Sequence, residues 1–196
     1  MVTPLTNLEK YRVVLASGSP RRRELLAMLG VEFTQTSVDA DESYPCDLAP
    51  ECVPGYLSRL KAEQYLMDKY QPGELVITAD TVVIAENEVL GKPGSEQEAR
   101  DMLHRLSGKV HRVVTGVCVS DGVSVVQESA CTEVEFAELT DAEINYYIER
   151  YKPMDKAGAY GIQEWIGCIG VKRIDGSFYN VMGLPLHRLY TVLKKF

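Results

Sequence analysis

Hydrophobic positions first gather in Arg12-Val13-Val14-Leu15-Ala16, a short β-rich run that predicts a strand. The run breaks at Ser17-Gly18-Ser19-Pro20. Residues 21–29 then place Leu25, Leu26 and Leu29 along one side of a helix, with Gly30 positioned to end it. Apolar residues at helical spacing return between positions 53 and 70. Leu75-Val76-Ile77 and Thr81-Val82-Val83-Ile84-Ala85 predict strand material interrupted at Thr78-Ala79-Asp80. Ser95, with Glu98 three residues later, fits a capping box, and Ala99, Met102, Leu103 and Leu106 mark one face of the helix that follows.

Two further strands, over residues 111–120 and 123–136, flank Asp121-Gly122, a strong hairpin signal. Thr140 with Glu143 makes a second capping box, opening a helix to about Arg150. Residues 158–170 are glycine-rich and read as irregular, with the lone Trp165 inside them. Residues 171–174, the Asp175-Gly176 turn and residues 178–182 predict another hairpin, and a final helix spans residues 185–194. Helices mixed with hairpins point to an α/β fold with a mixed sheet. No repeat, linker or low-complexity segment divides the 196 residues, so a single domain over 1–196 is expected.

Charge narrows the function. With 21 Lys+Arg against 28 Asp+Glu the chain carries −7, which disfavours extended nucleic acid as a partner. The charge is unevenly spread, however: residues 1–30 carry +3, residues 31–100 carry −9 and the remainder −1. A basic cluster, Arg21-Arg22-Arg23, therefore precedes a carboxylate-rich stretch. No apolar run approaches the roughly 20 residues of a membrane span, and the first dozen residues lack an apolar signal core, so a cytoplasmic protein is expected. Five cysteines without a C-x-x-C pair fit reduced thiols and argue against a zinc site. Cys118 and Cys168 lie in apolar runs that suggest buried packing.

Several residues could carry chemistry. Ser17-Gly18-Ser19-Pro20-Arg21-Arg22 joins a strand to a helix start, where backbone N–H groups and two guanidinium forks suit phosphate oxygens. It equally suits an ordinary capped helix with exposed arginines. Asp80 ends an apolar run, beside Thr81, where a carboxylate serves as metal ligand, general base or simply a turn residue. Asp41-Glu42 adds acid in a loop, and Lys61 and Lys92 each read alone as solvated lysines. Residues 155–163 form a glycine-spaced loop ending in the amide of Gln163. No Ser/His/Asp arrangement is legible among the three histidines.

Taken in order, these stretches form a recognisable series. Ser17-Gly18-Ser19-Pro20-Arg21-Arg22-Arg23-Glu24-Leu25-Leu26 is followed by Ala79-Asp80-Thr81-Val82-Val83, Gly91-Lys92-Pro93, Leu106-Ser107-Gly108-Lys109-Val110-His111 and Asp155-Lys156-Ala157-Gly158-Ala159-Tyr160-Gly161-Ile162-Gln163. With the late Asn180-Val181-Met182-Gly183-Leu184-Pro185 segment, the series resembles the Maf nucleoside triphosphate pyrophosphatases over residues 13–189. Glu164-Trp165-Ile166 departs from the family pattern, which commonly has small residues there.

The resemblance implies a two-lobed mixed sheet flanked by helices around a central cleft, similar to the inosine triphosphatase fold. It implies hydrolysis of a nucleoside triphosphate to monophosphate and pyrophosphate with Mg²⁺ or Mn²⁺, and a homodimer is common in the family. Carried over residue by residue, Asp80 is the proton acceptor, and Asp80 with Glu42 would hold the cation. Lys61 and Lys92 join Asp80 and Glu42 as catalytic residues. Ser17, Ser19 and Arg21 would bind phosphates, while Arg22, Thr81 and Gln163 would set base choice. The Gly-Ile-Gln ending resembles the branch acting on dTTP and UTP. A glutamine amide can accept from N3–H and donate to O4 of uracil or thymine, and the flipped amide serves cytosine equally. A nucleotide-binding regulator of septum formation and a purine-type pyrophosphatase are the alternative functions. On this reading the +3 segment supplies phosphate contacts and the −9 segment the carboxylates that need a cation.

Overall fold

The computed structural model describes residues 4–196. Strand β1 (Arg12–Ala16) leads through the Ser/Gly/Pro turn into helix α1 (Pro20–Ala27), and β2 (Thr34–Thr36) follows. Helix α2 (Val53–Asp68) precedes the long strand β3 (Glu74–Ala85) and the short β4 (Glu88–Leu90). Then come α3 (Glu96–Leu106), β5 (Val110–Ser120), β6 (Val125–Phe136) and α4 (Asp141–Tyr151). The described chain closes with α5 (Trp165–Gly170), β7 (Val171–Asp175), α6 (Phe178–Val181) and α7 (Leu186–Leu193).

The strands form one mixed sheet of order β2-β1-β3-β5-β6-β7, with β4 added on β3. Strand β1 runs parallel to both neighbours, Val14 facing Thr34 on β2 and Val76 on β3. Parallel neighbours need crossovers. Helices α1 and α2 lie in the two connections. Strand β4 runs antiparallel to β3, and β7 antiparallel to β6.

The chain divides into two compact units. One takes the chain up to Asp80 with Thr115–Ala130 and Gly183–Phe196. Its core includes Val14, Ala16, Tyr65 and Val76. The other takes Thr81–Val114 and Cys131–Met182, around a core that includes Leu103, Leu106, Phe136, Ile144, Tyr147 and Ile148.

Local signals explain most boundaries. Pro20 stands at the first turn of α1, and the Ser19 hydroxyl accepts from the Arg22 N–H. The Thr140 capping box is complete, with Thr140 N–H donating to Glu143 and Glu143 N–H to the Thr140 hydroxyl. At Ser95 only half the box forms, because the Glu98 carboxylate turns to the Gly94 N–H at 2.8 Å.

Four expectations need correction. Strand β3 is unbroken through Thr78-Ala79-Asp80, because the buried Thr78 hydroxyl donates to the Ser58 carbonyl at 2.6 Å. A polar residue with its hydrogen bond satisfied can stay inside a buried strand. Residues 178–181 are helical rather than a second hairpin arm. Ser177 caps them, and the buried Asn180 amide donates to the Val113 carbonyl and the Thr132 hydroxyl. Residues 165–170 form a short helix within the glycine-rich stretch, and Cys168 on that helix is exposed. Cys118 is buried, as expected, and burial pushes its thiol up to about 11.

Candidate active site

The first unit gathers seven of the residues singled out above. Ser17 is buried at the end of β1, and its hydroxyl accepts from the Ser19 N–H at 3.4 Å. Gln35 reaches across from β2, its amide nitrogen donating to the carbonyls of Ser17 at 2.7 Å and Ser19 at 3.3 Å. The turn is thereby shaped from both strands, with the start of α1 directly behind it.

Arg22 is spent differently from a solvated arginine. Its Nε donates to the Gly183 carbonyl at 2.9 Å, and one terminal nitrogen donates to the Ala79 carbonyl at 2.8 Å and the Ser17 hydroxyl at 3.3 Å. One guanidinium thus joins the end of β1, the residue before Asp80 and the chain entering α7. Burial lowers its pKa from the ordinary arginine value; Asp80 pulls it back up, Arg21 lowers it and Glu42 raises it. Arg21 stands beside it, half-buried.

Asp80 sits deep in β3, 8% exposed. Its Oδ1 accepts from the Lys61 ammonium of α2 at 2.6 Å, and the same ammonium lies 2.7 Å from Glu42 Oε1. Lys61 and Asp80 come from rigid elements, whereas Glu42 is exposed on the irregular stretch that follows β2. Two carboxylates therefore converge on one positive charge. Among the described residues no three or more His, Cys, Asp and Glu side chains cluster so as to hold a metal ion. Mg²⁺ commonly takes one or two carboxylates and completes its shell with substrate phosphates and water, and Glu42 with Asp80 fits that donor set.

The other three residues belong to the second unit. Thr81 follows Asp80 on β3 and is half-buried. Lys92 is exposed two residues beyond β4, whose last residue, Leu90, lies opposite Val83 on β3. Gln163 is exposed in the turn before α5. The Gly158 N–H donates to the Gly91 carbonyl at 3.0 Å, tying the loop of Gln163 to the turn of Lys92. Gly158 adopts φ +66°, and a Cβ there would meet a Val83 methyl at 2.9 Å, so this joint requires glycine.

The family model of Maf-like proteins matches residues 12–196. The chain belongs to the Maf family. A dTTP/UTP pyrophosphatase of Bacteroides thetaiotaomicron is 55% identical to this Maf chain, covering 97% of it and 99% of the relative. Its counterpart in Phocaeicola vulgatus is 56% identical with the same coverage, and one in Porphyromonas gingivalis is 55% identical over 98% of each chain. Among solved structures, the Staphylococcus aureus Ham1 protein shares 13% identity over 65% of this chain and 72% of that one. Its TM-score of 0.48 is too slight a likeness to bear on the site.

Sequence reasoning missed two groups in this Maf chain. The Thr78–Ser58 bond that carries β3 past Asp80 joins residues twenty apart, and no local pattern signals it. Lys156 reads as a loop lysine, yet it is buried and ion-paired to Asp155 at 2.7 Å and Glu164 at 3.1 Å. Its place in the Asp-Lys-Ala-Gly motif was the available signal.

Proposed function

We propose that this Maf chain is a nucleoside triphosphate pyrophosphatase that hydrolyses dTTP and UTP to the monophosphate and pyrophosphate. The observation that carries the reading is the convergence of Glu42 and Asp80 on Lys61, in a chain about 55% identical to proteins of that name. A regulator that only binds nucleotides has no need of two carboxylates brought to one point.

Hydrolysis of a phosphoanhydride asks for charge neutralisation and a proton acceptor more than for covalent chemistry. Asp80 takes the proton of the attacking water, and Lys61 beside it holds that carboxylate in place. The backbone of the Ser17–Ser19 turn and Arg21 receive phosphate oxygens, while Arg22 braces the turn and the Ala79 carbonyl. Lys92 adds positive charge for the phosphates. Gln163 addresses the base, accepting from N3–H and donating to O4. Glu42 and Asp80 would hold Mg²⁺ or Mn²⁺, which would neutralise charge on the triphosphate. A cytoplasmic setting accords with five free cysteines, four of them exposed. No described helix is long and apolar enough to cross a membrane.

A panel of nucleoside triphosphates incubated with Mg²⁺ and scored for pyrophosphate tests the proposal. Turnover of dTTP and UTP ahead of purine and cytosine nucleotides is expected. Faster turnover of a purine nucleotide overturns the base assignment, and binding without pyrophosphate release overturns the enzyme reading.

A further inference from the structure

Three side chains of the second unit close on the turn that carries Gln163. Lys156, 7% exposed, pairs with Glu164 Oε1 at 3.1 Å. The other Glu164 oxygen accepts a short hydrogen bond from the Tyr147 hydroxyl of α4. That hydroxyl oxygen also accepts from the Gly161 N–H at 3.0 Å, and the Glu164 N–H returns to the Gly161 carbonyl at 3.0 Å. Residues 161–164 are therefore fastened at both ends, with Gln163 the exposed residue inside. Behind the turn, a Cβ on Gly167 would run into the Ile162 carbonyl, so α5 begins with no slack.

Burial, and the bond to Glu164, push the Tyr147 phenol well above its ordinary value, so it remains an O–H donor. Tyr147 and Glu164 both lie outside the motifs that carry the Maf resemblance, and Glu164 stands where small residues are common in the family.

Base choice by an amide needs such a frame. Thymine and uracil present a donor at N3 and an acceptor at O4, and cytosine presents the reverse pair. The amide can turn about its own terminal bond and offer either edge, so the choice rests on how it is placed against the ring. Hydrogen bonds weaken steeply with misalignment, so a backbone held from both sides fixes the point from which the amide must meet the ring. We propose that the Tyr147–Glu164–Lys156 cluster fixes the backbone from which Gln163 reads the pyrimidine, making Tyr147 and Glu164 positioning residues for base choice. This rests on the assignment of Gln163 to the base.

The test is the ratio of kcat/KM for dTTP over dCTP, and for UTP over CTP, in the full chain and in Glu164→Gln, Tyr147→Phe and Lys156→Arg. The ratio is insensitive to the share of folded protein, so a purely structural role would not move it. Glu164→Gln and Tyr147→Phe should each lower the ratio by about tenfold, the worth of one well-placed hydrogen bond. Lys156→Arg, which keeps the charge, should retain more of the ratio than Lys156→Met. Ratios within twofold of the parent in both Glu164→Gln and Tyr147→Phe, with only a lower melting temperature, overturn the proposal. Should one variant fail to fold, the other decides. The same ratio is read in equilibrium binding of the α,β-imido analogues. A parent chain that prefers thymine in binding but releases no pyrophosphate thus defeats the enzyme reading alone.

Discussion

The Lys61 ammonium lies 2.6 Å from Asp80 Oδ1 and 2.7 Å from Glu42 Oε1, so a single cation on α2 balances two carboxylates that arrive from a strand and a loop. The Lys61 and Asp80 side chains are only 13% and 12% exposed, while Glu42 is 55% exposed. Lys61 and Asp80 are thus a largely desolvated pair, and Glu42 is the partner that solvent can most easily replace.

Asp80→Asn should abolish pyrophosphate release while leaving the melting temperature near that of the parent, since the amide still accepts from Lys61. Activity within tenfold of the parent, about 1.4 kcal/mol of barrier, would remove Asp80 from the role of proton acceptor.

Lys61→Met removes the charge between the carboxylates and should both silence turnover and destabilise the fold by about 2 kcal/mol. Breaking a fully buried pair costs roughly 3–5 kcal/mol, and the residual exposure of this one lowers the figure. Lys61→Arg should recover most of the stability. A urea series reads both, and a methionine variant as stable as the parent would show that the pair contributes little.

Arg22→Lys keeps the charge but loses the fork that spans Gly183, Ala79 and Ser17. A loss of about 2 kcal/mol is expected, from two or more hydrogen bonds to a partly buried charged group, and kcat should fall with it because the Ala79-Asp80 segment loosens. Calorimetry alongside kinetics checks this. Unchanged melting with reduced nucleotide affinity would mark Arg22 as a pure ligand contact.

His111 gives a pH signature. It is 2% exposed, its Nε2 sits 2.7 Å from the Tyr160 hydroxyl, and its buried Nδ1 has no hydrogen-bond partner among the described residues. Burial lowers its pKa from 6.5 to about 4. The unfolded chain therefore takes up a proton below pH 6.5 that the folded chain refuses until about pH 4. Stability is fully present above pH 6.5 and falls through that window by roughly 3 kcal/mol. Denaturation series at pH 7.5, 6 and 4.5 read the slope, which His111→Gln should flatten. An equal slope in both proteins would assign the acid sensitivity elsewhere.

Gly158→Ala places a methyl against Val83 at φ +66° and should cost about 1–3 kcal/mol. Because Gly158 N–H also holds the Gly91 carbonyl, the KM for nucleotide should rise more than the folded fraction falls. A KM equal to the parent's would separate this joint from substrate binding.

What the sequence revealed depended on the range of the interaction. The opening strand, turn and helix were legible because Ser19 caps its own helix and Pro20 stands at its first turn. The Thr140 box likewise acts within four residues. The break expected in β3 does not occur because the partner of Thr78 is Ser58, on another element. Residues 178–181 are helical where a strand is expected, with Asn180 bonded to the distant Val113 and Thr132. At the site, the family resemblance singles out Glu42, Lys61 and Asp80, but only the structure shows that one lysine of α2 serves both acids. For the Lys156 cluster the Asp-Lys-Ala-Gly motif marks the lysine, but its burial and its pairing with Glu164 show only in the structure.

Gln35 has a kinetic consequence through its bonds to the Ser17 and Ser19 carbonyls. A turn already held open by its neighbour strand loses little conformational freedom when an anion arrives, so its ordering cost is met during folding. Capture at that turn should then proceed at the pace of encounter, steered by charge and slowed by salt, without waiting for a loop to close.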